Sequence, residues 1–499
     1  MTSQKKDADY VFFELTRSIC PECRRVIDAQ ILLRKNKVYM RKRCPEHGTF
    51  EGLIYSDAKA YTANARFNKP GTIPLAFSTE IKHGCPYDCG LCPDHQQHTC
   101  LGIIEVNSAC NMDCPLCFAN AGAGFNLTLE EVENILDHLV ETEGKPEVVQ
   151  FSGGEPSIHP QIVDMIKAAK KRNITHVMLN TNGKRIANDD RFLEQLNEVR
   201  PSIYFQFDGF ETETYRALRG EPEILPQKLR ALDRLAEIEI GVVLVPAIDR
   251  FVNLHEVGKI VSFAIKHPAV RGINFQPAFQ SGRHDPHDPM QRLTIPDILN
   301  ALEEQMEGLF KISDFVPVPC CFPTCNSVTY ALIDGETVLP LPRVLNVEDY
   351  LDYITNRAVP DLSADVKTAL ESLWSSSVVP GSTKTAQQFA ISCAACGLPD
   401  GLNLDAFIRN IFMIMLQDFM DPWTFNQKNL MKCCKEILLP DGKQIPFCAY
   451  NNIGYREQAR QQLQERERKR NQAKCAGVPY TPEPLTFSFE EHSTIGSSR

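Results

Sequence analysis

The amino-acid sequence predicts an α/β protein in which a parallel domain of six β/α units, residues 102–312, stands between two cysteine-bearing regions. Three observations carry this expectation. From 102 to about 310, apolar strand-like runs alternate with helical patterns, as a parallel sheet covered by helices requires. The chain has 499 residues, more than a single hydrophobic core serves, and its 43% hydrophobic content supports globular folding. Its 19 cysteines fall into groups at ligand-like spacings, which read as metal sites in a reducing compartment rather than as a disulfide framework. The predicted divisions are 1–101, 102–312, 313–455 and a charged tail, 456–499.

No run of about 18 apolar residues occurs, and the polar start MTSQKKDADY has no signal-peptide core, so a cytoplasmic protein with at most peripheral membrane contact is expected. A net charge of -10 argues against nucleic acid as a partner.

The first element is a metal knuckle. Cys20, Cys23, Cys44 and His47 make a C-x2-C-x20-C-x2-H pattern around the alternating segment Ile31 to Arg41. Four such donors suit tetrahedral zinc or a rubredoxin-like iron, in a site that folds a module with little core of its own. Residues 49–80 then lead to HGCPYDCGLCPDHQQHTC. There Cys85, Cys89 and Cys92, with Cys100 as fourth ligand, suit an auxiliary iron-sulfur cluster, and His95 and His98 read as loop histidines that orient their neighbours.

The parallel domain opens with an apolar strand, Gly102 to Ser108, then Cys110, Cys114 and Cys117, then a helix, Leu127 to Glu141. The cysteines thus occupy a loop at the C-terminal end of a strand, where barrel active sites are built. A closed electron-transfer cluster takes four cysteines. C-x3-C-x2-C supplies three and leaves one iron of a [4Fe-4S] cluster open. The next strand, Glu147 to Ser152, ends in Gly153-Gly154-Glu155-Pro156, whose paired glycines permit close backbone approach. Together these motifs resemble the radical SAM superfamily. The resemblance implies a partial (β/α)6 barrel, S-adenosylmethionine (SAM) held on the open iron, Cys110, Cys114 and Cys117 as the catalytic cluster ligands, and Glu155 facing the methionine ammonium. The earlier cysteine triad has no GGEP partner and is therefore given the auxiliary role.

Helix His159 to Arg172, strand His176 to Leu179, helix Asp189 to Val199, strand Ser202 to Phe207 and helix Leu225 to Ile238 continue the alternation. Strand Ile240 to Val245, helix Leu254 to Lys266, strand Gly272 to Phe275 and helix Ile295 to Phe310 complete it. Polar residues follow the strands, and by resemblance Asn180, Thr181, Gln206 and Asp208 are candidates for the SAM carboxylate or ribose. Arg219 is a weaker candidate for a carboxylate.

Beyond 310, Cys320, Cys325, Cys393, Cys396, Cys433, Cys434 and Cys448 are candidate ligands of a second auxiliary cluster. Cys321 is geometrically awkward beside Cys320, and Cys475 is expected to be free. Ala406 to Met420 reads as a helix, Arg456 to Lys474 as a solvated charged helix, and the tail after Gly477 as loosely packed or disordered.

Taken together, CPEC…CPEHG, HGCPYDCGLCPDHQQHTC, CNMDCPLCF, FSGGEP, FQFDG, PVPCCFPTC and KCC…LLPDGKQIPFCAYN resemble one radical SAM family over most of residues 18 to 455. It is the family of archaeal tetraether lipid synthase, whose members have also been described as dihydropterin methyltransferases. The resemblance implies hydrogen abstraction from unactivated C–H bonds and joining of lipid chains. A low-potential donor such as ferredoxin or flavodoxin is implied as partner. Lys435 departs from the family, standing where a histidine-containing segment is expected. Methylation of a pterin or related small molecule and peptide modification are the enzymatic alternatives. A non-enzymatic iron-sulfur carrier is disfavoured by the open triad with GGEP.

Overall fold

The protein is described by a computed structural model over residues 8–489, apart from 123, 285–287, 319–320 and 344–409. The N-terminal module is an antiparallel meander of β1 (Val11–Ile19), β2 (Val26–Arg34), β3 (Lys37–Cys44) and β4 (Gly48–Tyr55), followed by α1 (Ala58–Asn64). Alternation on β3 buries Val38, Met40, Lys42 and Cys44. Lys42 is the exception to an apolar inner face, and it docks the module: its ammonium donates to Ser18 Oγ (2.9 Å) and to the carbonyls of Pro422 (2.6 Å) and Trp423 (3.0 Å).

The parallel domain runs β5 (Leu101–Asn107), α2 (Leu129–Glu143), β6 (Val148–Gly153), α3 (Ile162–Lys171), β7 (His176–Thr181), α4 (Lys184–Asn188), α5 (Asp190–Val199), β8 (Ser202–Gln206), α6 (Thr212–Arg219) and α7 (Leu225–Glu237). It continues through β9 (Val242–Val245), β10 (Ala247–Ile248), α8 (Val257–Lys266), β11 (Val270–Pro277) and α9 (Ile295–Gln305). Each predicted strand and helix of this domain is present, with ends moved by a few residues. Helix α2 shows why such elements form here: Thr128 and Glu131 make a reciprocal capping box, and Val132, Ile135, Leu136 and Leu139 form its buried stripe.

The C-terminal region adds β12 (Asn326–Asp334), β13 (Thr337–Pro340), β14 (Ile411–Gln417), α10 (Gln427–Met431), β15 (Lys435–Leu438), β16 (Gln444–Pro446), α11 (Phe447–Asn452) and α12 (Tyr455–Ala476). Strand order in the large sheet is β13-β12-β14-β11-β9-β8-β7-β6-β5-β15-β16. β14 and β15 are parallel to their neighbours β11 and β5, so two C-terminal strands widen the six-strand arc at its edges. The expected helix over Ala406 to Met420 is thereby corrected where it is described. Ile411 to Gln417 forms a strand flanked on both sides by other strands, and burial on both faces removes the alternation that would have marked it.

The expectation of a solvated helix over Arg456 to Lys474 is also corrected. Tyr455, Arg456, Ala459, Leu463 and Arg466 are buried on α12, and Arg456 Nη1 donates to Glu105 Oε1 of β5 at 2.6 Å. The tail after it packs in part: Leu485 is buried, and the rings of Phe487 and Phe489 lie 5.0 and 4.7 Å from that of Tyr455. Among the described residues no helix is long and apolar enough to cross a membrane.

Candidate active site

β5 ends at the loop carrying Cys110, Cys114 and Cys117. The three thiols share an apolar cluster with Met112, Tyr215, Ile224 and Leu225. This loop is tied to α6 by Leu116 N–H donating to Leu218 O (3.2 Å), and Tyr215 is fixed by its hydroxyl donating to Gly209 O (2.9 Å). The sulfurs do not lie within 4.8 Å of one another, unlike those of the N-terminal site. Burial pushes the Cys110 thiol up to about 11, so cluster binding has to displace its proton.

The GGEP turn lies flat on this loop. Gly154 N–H donates to Asn107 O and Glu155 N–H to Ala109 O, both at 2.8 Å. Gly153 has φ +134°, and a Cβ on Gly154 would fall well inside contact distance of the Ala109 and Ser108 carbonyls. The glycines thus permit the approach of one loop to the other. Gly154→Ala is expected to separate the loops and weaken SAM affinity by at least about tenfold, equivalent to about 1.4 kcal/mol, as read by equilibrium binding to the reconstituted protein.

Glu155 is 2% exposed and organises three strand ends. Its carboxylate accepts from Ser157 N–H (3.0 Å), Thr181 Oγ (2.6 Å) and Asn182 N–H (2.8 Å). Burial nevertheless raises its pKa. Thr181 serves Glu155, while Asn180 Nδ2 donates to Ser152 Oγ at 3.1 Å and faces the lumen. Asp208 is fully buried and bidentate with Arg219, at 2.7 and 2.6 Å. Sequence alone leaves Arg219 a weak candidate; its guanidinium is buried and also reaches Leu116 O in the cysteine loop (3.4 Å). Gln206 accepts through its backbone and side-chain oxygens from Lys228 Nζ, at 2.8 and 3.1 Å. The sequence signal for Lys228 is its place on the i, i+3, i+4, i+7 stripe with Ala231, Leu232 and Leu235.

The strands enclose a lumen of about 170 Å³. One part of its wall is amide-rich, with Gln150, Asn274, Gln276 and Gln417 around Tyr204, whose hydroxyl accepts from Asn274 Nδ2 (2.5 Å) and Gln276 Nε2 (2.9 Å). Another is aromatic: Phe118, next to Cys117, packs at a tilt against Phe279 and Phe447, and the ring of Phe419 lies 4.4 Å from that of Phe447.

Residues 104–264 match the radical SAM superfamily, and residues 12–56 match the HMPTM N-terminal zinc ribbon domain. The chain is 33% identical over 479 residues, 89% of its own length and 94% of the relative's, to the 7,8-dihydro-6-hydroxymethylpterin dimethyltransferase of Methanocaldococcus jannaschii. The chain belongs to the radical SAM superfamily. Near-complete coverage places it in one family with the M. jannaschii protein. A GTP 3',8-cyclase of Chlorobaculum tepidum is 30% identical over 179 residues, 35% of this chain and 53% of the cyclase. Streptococcus suis SuiB bound to SAM aligns with a TM-score of 0.35 at 14% identity, over 42% of this chain and 47% of SuiB.

The radical SAM domain implies a [4Fe-4S] cluster and SAM, and the cysteine loop and its apolar surround fit that cluster. The zinc ribbon fits a single tetrahedral ion. Cys23 Sγ to Cys44 Sγ is 3.9 Å, and His47 Nδ1 is 3.4 Å from Cys44 Sγ and 3.7 Å from Cys20 Sγ. Metal–sulfur bonds of about 2.3 Å in a tetrahedron need edges close to these.

The remaining cysteines separate differently from the sequence expectation. Cys85, Cys89 and Cys92 line one small cavity with Asp94 and His95. Cys100 is brought instead to Cys321 and Cys434, with Cys325 against them, and Cys434 and Cys321 sulfurs are 3.5 Å apart. Proximity in sequence made Cys100 look like a fourth ligand of its own loop. In the fold it immediately precedes β5, beside Cys434 at the start of β15, and accordingly Cys100 N–H donates to Cys434 O at 3.0 Å. Cys321, set aside for adjacency to Cys320, is a member of this set. Cys448 packs in the main core and Cys433 Sγ donates to Lys435 O at 3.3 Å. Cys320, Cys393 and Cys396 lie outside the described residues. His98 Nδ1 pairs with Glu143 (2.8 Å) and its Nε2 is 3.5 Å from Cys100 Sγ, while His95 Nε2 lies 2.7 Å from Cys433 O. Cys475 is exposed.

Proposed function

We propose that this radical SAM enzyme abstracts hydrogen from unactivated C–H bonds of an apolar substrate and couples lipid alkyl chains. The aromatic wall of Phe118, Phe279, Phe419 and Phe447, beginning next to Cys117, carries this reading. Cys110, Cys114 and Cys117 would hold a [4Fe-4S] cluster, which would supply the electron for reductive cleavage of SAM to a 5′-deoxyadenosyl radical and methionine. Saturated carbon has no proton that a side chain could remove, so the residues here orient and exclude. The phenylalanines offer an unreactive surface to a chain and keep water out. Gly153 and Gly154 let the loops meet, and Glu155 holds Thr181 and Asn182, with Asn180 and Gln206 on the lumen side.

A second reading, methylation of a pterin-like heterocycle, is favoured by the amide-rich wall around Tyr204 and by the activity named for the M. jannaschii relative. Cys85, Cys89 and Cys92 are assigned to one auxiliary cluster, and Cys100, Cys321, Cys325 and Cys434 to another. A low-potential ferredoxin or flavodoxin is the proposed electron donor.

The test is anaerobic turnover with dithionite, SAM and either a lipid extract or a dihydropterin, following 5′-deoxyadenosine and product mass together. Paired chains with hydrogen loss and no added methyl support coupling. A methylated pterin with lipid unchanged overturns it in favour of the second reading.

A further inference from the structure

Lys228 is 1% exposed on α7, at a position where the helix pattern calls for an apolar side chain. Its ammonium donates to Asn182 O (3.2 Å), Gln206 O (2.8 Å) and Gln206 Oε1 (3.1 Å), which are all neutral acceptors. The two carboxylates within electrostatic reach are engaged elsewhere: Asp208 is bidentate with Arg219, and Glu155 accepts from Ser157, Thr181 and Asn182. Arg219 has Asp208 as its own partner, whereas Lys228 has no carboxylate bound to it; burial lowers its pKa to about 8, so it stays charged at neutral pH. A buried cation with neutral partners is costly to fold, and an apolar residue of similar volume would pack there more cheaply.

The position of that charge suggests what it is for. Lys228 Nζ lies 5.9 Å from the ring centre of Tyr215, and Tyr215 belongs to the apolar cluster that holds Cys110, Cys114 and Cys117. In a poorly solvated interior the field of such a charge is weakly screened, and the potential of an iron-sulfur cluster depends on nearby charge, hydrogen bonds and exposure.

We propose that Lys228 is a positioning residue that sets the reduction potential of the cluster held by Cys110, Cys114 and Cys117, its buried positive charge favouring the reduced form. The inference rests on the assignment of that triad. The step is a one-electron gain from a low-potential ferredoxin-type donor, with no bond made or broken in the protein. The charge makes the cluster easier for that donor to reduce.

The test is an EPR-monitored redox titration of the reconstituted holoenzyme, with the relevant cluster identified by the change in its signal when SAM is added. Lys228→Met and Lys228→Gln are both neutral, the second keeping a hydrogen-bond donor; Lys228→Arg keeps the charge. Both neutral variants are expected to move the midpoint to a more negative value by about 59 mV, the one-electron equivalent of a tenfold change in the reduction equilibrium, and the arginine variant to hold it. An unchanged midpoint in the neutral variants overturns the proposal and leaves Lys228 a strap between strand ends. A shift in Lys228→Arg equal to theirs overturns it as well, because charge would not be the cause. If the wild-type spectrum does not respond to SAM, the assignment of the triad fails, an outcome distinct from either.

Discussion

Cys114→Ala is expected to abolish 5′-deoxyadenosine formation while zinc and the auxiliary iron stay near wild-type content. Cys114 is the most buried of its triad, packed with Met112, Tyr215 and Ile224, and two thiolates in such a pocket leave the cluster short of a ligand. The N-terminal donors and the set around Cys434 belong to other apolar clusters and should retain their metals. Chromatography with mass detection of 5′-deoxyadenosine, together with metal analysis of the same preparation, checks both halves. Cleavage at the wild-type rate would move the SAM role to Cys85, Cys89 and Cys92, which share the spacing.

Asp208→Ala is expected to destabilise the domain by about 3–5 kcal/mol, because it leaves the Arg219 guanidinium buried without its bidentate partner. What remains for Arg219 is the contact to Leu116 O at 3.4 Å, too long to compensate. Chemical denaturation should show an earlier midpoint with an unchanged slope. The double variant Asp208→Ala/Arg219→Met should regain part of the loss, since the cost lies mainly in the unpaired charge. Equal stability of the single variant and wild type would show that water reaches Arg219. Because Arg219 also contacts the cysteine loop, SAM affinity should fall in the single variant.

The β/α alternation was readable because the long helices from α2 to α9 carry a buried stripe and several strands, β6, β7 and β8 among them, end at polar turns. β14 was not, since a strand enclosed by strands on both sides presents IFMIMLQ without alternation, and such a run suits a helix equally well. β15 is four residues long and gave no signal apart from the two cysteines just before it. The Cys110, Cys114 and Cys117 triad and GGEP were legible because both motifs are local. The second cysteine set was not, because Cys100, Cys321, Cys325 and Cys434 meet only through sheet topology. Arg456 hid in a run of charges, where nothing local distinguishes the one side chain that turns inward to Glu105.

β5 is the first strand of the barrel, yet the strand that covers its outer edge is β15, from residues 435–438. A ribosome therefore delivers the whole catalytic loop, GGEP and most of the sheet long before that edge can be paired. Until then β5 offers open backbone groups to any neighbouring chain. Cys100 waits in the same interval for Cys434. Under the proposed assignment, iron loading at that set has to wait for Cys434, and a nascent or truncated chain ending before residue 434 should aggregate or recruit a chaperone instead of loading metal there.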